Sequence, residues 1–236
     1  MSVTTEGNRK FCVFNRDRSA ARIVVSTDAS SAVRGAAGEL AHWLERLGAG
    51  SVAVAEEPAV TAGERREASR TIHIGAPRST ANALGTATIP DGGFHISIAE
   101  STVCITAADP DDTPHAVASL LETYCGIRWL WPGDTGTVAS PLDELWLPVR
   151  EQTVAPSFVW RELGPTGALW QQYGKEEKER QLGITKAHQS TYHAWERRNR
   201  FGGPRLSYGH IIGTEIIPPA RYAEEIGRAS CRERVC

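Results

Sequence analysis

The sequence predicts an α+β fold, an α/β layer in which a mixed sheet carries helices on one face, followed by the incomplete start of a (β/α)8 TIM barrel. Three observations carry that prediction. Two apolar stripes at helical spacing are interleaved with five or more short strand-like runs. The stretch DDTPHAVASLLETYCGIRWLWPG, Asp111 to Gly133, joins an amphipathic helix directly to an aromatic strand. Beyond about residue 156 the pattern becomes one strand, a long excursion, a helix and the approach to another strand, which is how a barrel of alternating strands and helices begins.

The chain is organised around that central stretch. Thr113 can cap a helix by accepting a hydrogen bond from a free backbone N–H, Pro114 fits the first helical position, and Gly126 suits the left-handed turn that ends it. Val117, Leu120, Leu121 and Tyr124 fall on one face, which must pack on something. Ile127 to Trp131 then reads as a strand stopped by Pro132 and Gly133, with the helix folded back onto the sheet.

Taken in order, residues 1–8 are polar and expected to fray. Phe11 to Phe14 and Arg22 to Val25 read as strands separated by a polar turn. Ser30 or Ser31 can cap a helix whose stripe is Val33, Ala36, Leu40, Trp43, Leu44 and Leu47, with Gly48 as its stop. Further strands are expected at Ser51 to Val54 and Thr71 to Gly75. The alternation of Phe94 to Ile98 suggests a strand with one face buried, and Val103 to Thr106 is its hairpin partner. After the central helix another strand is expected at Glu144 to Pro148, and Glu151 to Pro156 reads as a linker. These assignments divide the chain into an N-terminal α+β domain at 1–150 and a barrel start at 151–225. About 70 residues hold at most one or two units of a barrel that needs about 250. A helix is expected from Gln189 to Phe201, closed by Gly202, Gly203 and Pro204.

Composition narrows the classes of function. With 236 residues, 41% of them hydrophobic, the chain can bury a core. A net charge of −2 with scattered basic residues gives no electrostatic case for nucleic acid or a membrane surface. No apolar run reaches the roughly 20 residues that span a bilayer, and the N-terminus lacks a secretory core. As written the chain reads as cytoplasmic; a start further upstream would make it extracellular or periplasmic. Ile226 to Cys236 is similar to the translation of a short-read sequencing adapter, so 226–236 is expected to be read-through of library DNA. Without that tail Cys12, Cys104 and Cys125 remain, and with no metal-like spacing they read as free buried thiols.

The run HAVASLLETYCGIRWLWPGDTG resembles the corresponding segment of the N-terminal domain that precedes the barrel in alpha-glucuronidases of glycoside hydrolase family 67. It resembles still more closely a bacterial family of unknown function that joins such a domain to a glycosidase-like barrel. Residues Ile72 to Gly75 match a strand of the glucuronidase domain. Pro156 to Arg161, Ala194 to Arg200, Gly209-His210 and Pro218 to Tyr222 match the second family in order. The resemblance implies a glycoside hydrolase acting on glycosides of uronic acids or plant polysaccharide, with a carbohydrate substrate and no metal or organic cofactor.

Barrel enzymes work at the C-terminal ends of their strands, where the loops converge on a pocket. Arg161 can fork onto a carboxylate or sugar hydroxyls there, and Trp160 can offer its face to a sugar ring; the structural alternatives are an ion pair with Glu162 and a core position. His210 after Gly209 can donate to a sugar hydroxyl or orient a carboxylate, or serve as a hydrogen-bonded structural histidine. His188 and His193 are five apart, one too many for a shared helix face, and no metal site is expected. Glycoside hydrolysis needs two carboxylates flanking the bond. Glu176 and Glu177 sit in a charged run, while Asp109, Asp111 and Asp112 suit a helix N-terminus. The resemblance places the catalytic acids on later barrel strands, so the catalytic residues are unknown here. A non-catalytic carbohydrate-binding or domain-packing module is the competing reading. Exposed Trp129 or Trp131 favours it, and burial of both leaves a scaffold. Dinucleotide binding has no glycine fingerprint after any strand.

Overall fold

The structure is a computed structural model and describes residues 9–57, 70–75, 89–158, 161 and 186–203. The expected adapter-like tail at 226–236 lies outside them. The strands are β1 (Lys10–Phe14), β2 (Arg22–Ser26), β3 (Val54–Glu57), β4 (Thr71–Ile74), β5 (Phe94–Ile98), β6 (Thr102–Ala107), β7 (Arg128–Trp129), β8 (Thr137–Val138), β9 (Leu145–Pro148) and β10 (Arg150–Val154). The helices are α1 (Ser31–Leu47), α2 (Thr113–Cys125) and α3 (Lys186–Arg198).

Among the described residues, six strands form a mixed sheet in the order β10-β5-β6-β4-β2-β3. β3, β2, β4 and β6 run parallel to one another, while β5 and β10 are antiparallel additions. Register makes the two faces unlike. Ile23, Ile72, Val103 and Ile98 share one row, Val25, Ile74, Ile105 and Ile96 the next, and all are buried under α1 and α2. The other face carries His73, Cys104 and Ser97 in one row, and His95 between Thr106 and Thr153 in another. Side chains alternate across a strand, so one register sets both faces. The mixed sheet with its two mutually packed helices on one face is the layer that the sequence predicts.

Local chemistry explains the helices. The Ser30 hydroxyl accepts from the Val33 N–H at 3.3 Å, and Gly48, at φ 119°, ends α1 with its own N–H returned to the last turn. Gly126 closes α2 at φ 72°. Thr113 is not the cap that the sequence suggests. A short 3-10 turn, Pro110–Asp112, precedes α2, and Asp109 caps that turn by accepting from the Asp111 N–H at 2.9 Å. Thr113 therefore lies inside the helical run, with its hydroxyl buried and unpartnered.

Other expectations shift for physical reasons. The third strand begins at Val54 rather than ending there, because it is Val54 that pairs with Ile23. β1 leaves β2 and pairs with β9, with an irregular step between Cys12 and Phe14. β5 is buried on both faces, not one, and β10 pairs along its outer edge. That same pairing corrects the linker: residues up to Val154 are an edge strand of the sheet. The aromatic strand shrinks to Arg128–Trp129 and pairs with β8, apart from the main sheet. Of the expected barrel start, the described residues show α3 and an antiparallel bridge between Arg161 and Gly202.

Candidate functional site

The site is built where the turn after β7 meets α3. Leu130 donates its N–H to the Gly136 carbonyl at 2.8 Å, and Gly133 turns the chain at φ 91°. Gly136 is required by contact: a Cβ there would collide with the carbonyl and Cβ of Trp131. The turn thereby lifts two apolar side chains off the surface. Leu130 is 69% exposed and Trp131 70%, whereas Trp129 is 3% exposed.

Trp129 is held from two directions. Its carbonyl accepts from the indole Nε1–H of Trp195 at 2.9 Å and from the Asn199 side-chain amide at 3.1 Å. Asn199 also donates to the Trp195 carbonyl at 3.0 Å, which closes a small cluster at the end of α3. The Trp129 ring meets Trp43 edge-on at 5.7 Å between centroids, and the Arg198 guanidinium lies 5.4 Å from the Trp43 ring and 5.7 Å from that of Trp129. A cation over aromatic faces is attracted by their quadrupoles.

Glu39 completes the contact between α1 and α3. One of its oxygens accepts from Arg198 Nε at 2.6 Å and from Trp43 Nε1 at 2.7 Å. Burial pushes its carboxyl up, but the hydrogen bond and charge of Arg198, with the Trp43 donor, outweigh burial and hold it below the ordinary range. Trp195 stacks at a tilt between Tyr192 and Phe201, with centroids 5.7 and 5.5 Å away.

The other end of the junction fixes Arg161. Its Nε–H donates to the Arg200 carbonyl at 2.8 Å and its Nη1–H to the Phe158 carbonyl at 2.9 Å. Its backbone exchanges two 2.8 Å hydrogen bonds with Gly202. Buried His115 donates from Nε2 to the Phe201 carbonyl at 3.1 Å. Its Nδ1 lies 3.3 Å from an Asp112 oxygen, not aligned as a hydrogen bond. Arg200 pairs with Glu122 of α2 at 2.5 Å. The structure thus places Arg161 in a clasp of backbone carbonyls, with no ion pair to a carboxylate among the described residues. Trp160 and His210 lie outside the described residues, as do Glu176 and Glu177.

No group of His, Cys, Asp and Glu among the described residues is arranged to hold a metal ion. His193 is taken up by Glu196 at 2.8 Å. Cys12, Cys104 and Cys125 form no disulfide with one another; Cys12 and Cys125 are buried as expected but Cys104 is only partly so, and burial pushes Cys125 up to about 12. No described helix is long and apolar enough to cross a membrane. The acids at the start of α2 serve the backbone and lie beside His115, as their position before a helix suggests. What sequence reasoning missed is the Glu39–Arg198 contact and the double donation to Trp129. Trp195 and Asn199 stand four apart, one helical face, and that spacing was the available signal.

No protein-family model matches this chain. No curated protein matches it either. Among solved structures it is similar to a glycoside hydrolase family 20 exo beta-N-acetylglucosaminidase from Vibrio harveyi in two forms. The inactive mutant is 12% identical with a TM-score of 0.36, and the complex with N-acetylglucosamine is 13% identical with a TM-score of 0.36; each match covers 66% of this chain and 18% of that one. The chitobiase of Flavobacterium johnsoniae is 15% identical with a TM-score of 0.38, covering 68% of this chain and 20% of that one. The chain spans about a fifth of the length of these proteins.

Proposed function

We propose that this chain is the N-terminal part of a glycoside hydrolase acting on uronic-acid-containing glycosides, in which the α+β domain presents an aromatic platform to the sugar. The observation that carries the sugar-binding role of this domain is Trp131, 70% exposed on a turn whose neighbour Trp129 is locked in the core; the hydrolase part of the reading rests on the resemblance alone. An exposed indole on a rigid turn offers a flat apolar face to the C–H side of a pyranose ring at little entropic cost. The likeness of this same segment to the alpha-glucuronidase domain supports the substrate class. Trp160, Arg161 and His210 are the proposed further contacts, Arg161 through the guanidinium N–H groups that the Arg200 and Phe158 carbonyls do not take. The catalytic acids belong, in this reading, to later barrel strands, and the chain by itself binds without hydrolysing.

A second reading is favoured by one specific feature. Leu130, 69% exposed beside Trp131, gives the turn an aliphatic half, which suits packing against another domain better than a sugar. The two separate in one experiment. Glucuronic acid and xylose-based uronosyl oligosaccharides are titrated into the purified chain while tryptophan fluorescence is followed. The platform reading expects saturable binding that Trp131→Ala weakens at least about fivefold, the worth of one modest contact. No saturable signal with any uronoside sinks it and leaves the packing module.

A further inference from the structure

The exposed ring of Trp131 owes its place to residues far along the chain. The turn from Leu130 to Gly136 is closed by the Leu130 N–H on the Gly136 carbonyl, with the Gly136 N–H and the Thr137 hydroxyl both donating to the Gly133 carbonyl, and it leans on α3 where Gly133 faces Thr191. Its fixed end is Trp129, and the Trp129 carbonyl has two lone pairs, each met by a donor: the indole N–H of Trp195 on α3 and the amide of Asn199, the residue that follows α3. The peptide that carries this carbonyl also carries the N–H of Leu130. Rotating it would break both donations and the Leu130 bond to Gly136 together. The plane of that peptide therefore sets the direction in which the chain leaves the core, and with it the face that Trp131 shows.

Resting on the reading above, we propose that Asn199 and Trp195 are positioning residues for the Trp131 platform, so that α3 sets the ligand-facing geometry of a turn about 65 residues earlier in the chain. Asn199 is the sharper of the two, because its amide uses one N–H on the Trp129 carbonyl and the other on the Trp195 carbonyl. Asn199→Asp keeps the shape, removes both donors and sets a carboxylate oxygen against two carbonyls. Trp195→Phe keeps an aromatic ring between Tyr192 and Phe201 and removes only the indole N–H.

The test uses the full chain labelled with 5-fluorotryptophan and read by fluorine NMR, with the Trp131 resonance assigned through Trp131→Phe and glucuronic acid as the added probe. Both variants are expected to shift or broaden the Trp131 resonance, while that of Trp146, on β9 and hydrogen-bonded to Glu144, stays in place. Each is expected to weaken glucuronic acid binding about fivefold, the worth of one ordinary hydrogen bond. A general loss of stability would move Trp146 as well, so an unmoved Trp146 separates positioning from simple damage. A Trp131 resonance and an affinity unchanged in the folded variants overturn the proposal. Should Asn199→Asp fail to fold, Trp195→Phe decides alone. Should glucuronic acid bind neither form, the sugar-platform reading fails, and the Trp131 resonance still tells whether α3 positions the turn.

Discussion

Glu39 shows how one side chain ties two helices with a single oxygen. Arg198 from α3 and Trp43 from its own helix both donate to that atom, and the guanidinium then spreads over the rings of Trp43 and Trp129. The carboxylate is stabilised in its charged form, so its folded-state value lies below that of the unfolded chain. The sign follows from linkage: the stabilisation is fully present above the ordinary glutamate value of 4.5 and is lost as pH falls below it through the depressed one. Glu39→Gln is therefore expected to cost about 1 kcal/mol at neutral pH, in the range of partly screened charge pairs, and almost nothing near pH 3. Urea titrations of both forms at pH 7 and pH 3 measure it. An equal loss at the two pH values would falsify the charged contact.

At the scale of the element, α2 is held by its apolar face. Val117, Leu120 and Leu121 are buried, each at 1% exposure or less, against α1 and the strands β5 and β6. Leu121→Ala is expected to cost 2 to 5 kcal/mol, roughly the transfer term plus the cavity left behind, measured by chemical denaturation. A loss below about 1 kcal/mol would mean that this face is not packed as described. The helix was legible in the sequence because its stripe, Pro114 and Gly126 all speak within a few residues. The same holds for α1, bounded by Ser30 and Gly48. What was not legible depended on partners distant in sequence. Nothing within Arg150–Val154 says that it will pair with Phe94–Ile98, since Glu151 and Thr153 look like linker residues until a neighbouring strand supplies the ladder. Likewise the aromatic run after Ile127 looks like a strand, but Gly136 captures the Leu130 N–H and bends it into a turn. The candidate site was half legible: Trp131 stood out by type, whereas the clasp of Arg161 by two carbonyls needed the fold to bring Phe158 and Arg200 beside it.

Across the whole molecule, the mixed sheet divides the chain into an apolar side under two helices and a polar side. That division sets which parts can open without the rest. β6 is flanked on both edges, by β4 and β5, and lies over the α2 contact, so its amides exchange only when the sheet itself opens. β3 is an outer strand with partly exposed residues, held mainly by its ladder to β2 and by the ion pairs of Arg22 with Glu57 and Arg34 with Glu56. Surface pairs of this kind contribute little and weaken with salt. Hydrogen exchange followed by mass spectrometry is therefore expected to rank β6 slowest and β3 fastest of the six strands, with 0.5 M salt speeding β3 and leaving β6 unchanged. If β3 were as protected as β6, something other than its ladder and surface charges would have to cover it, and the polar side of the sheet would be the place to look for that cover.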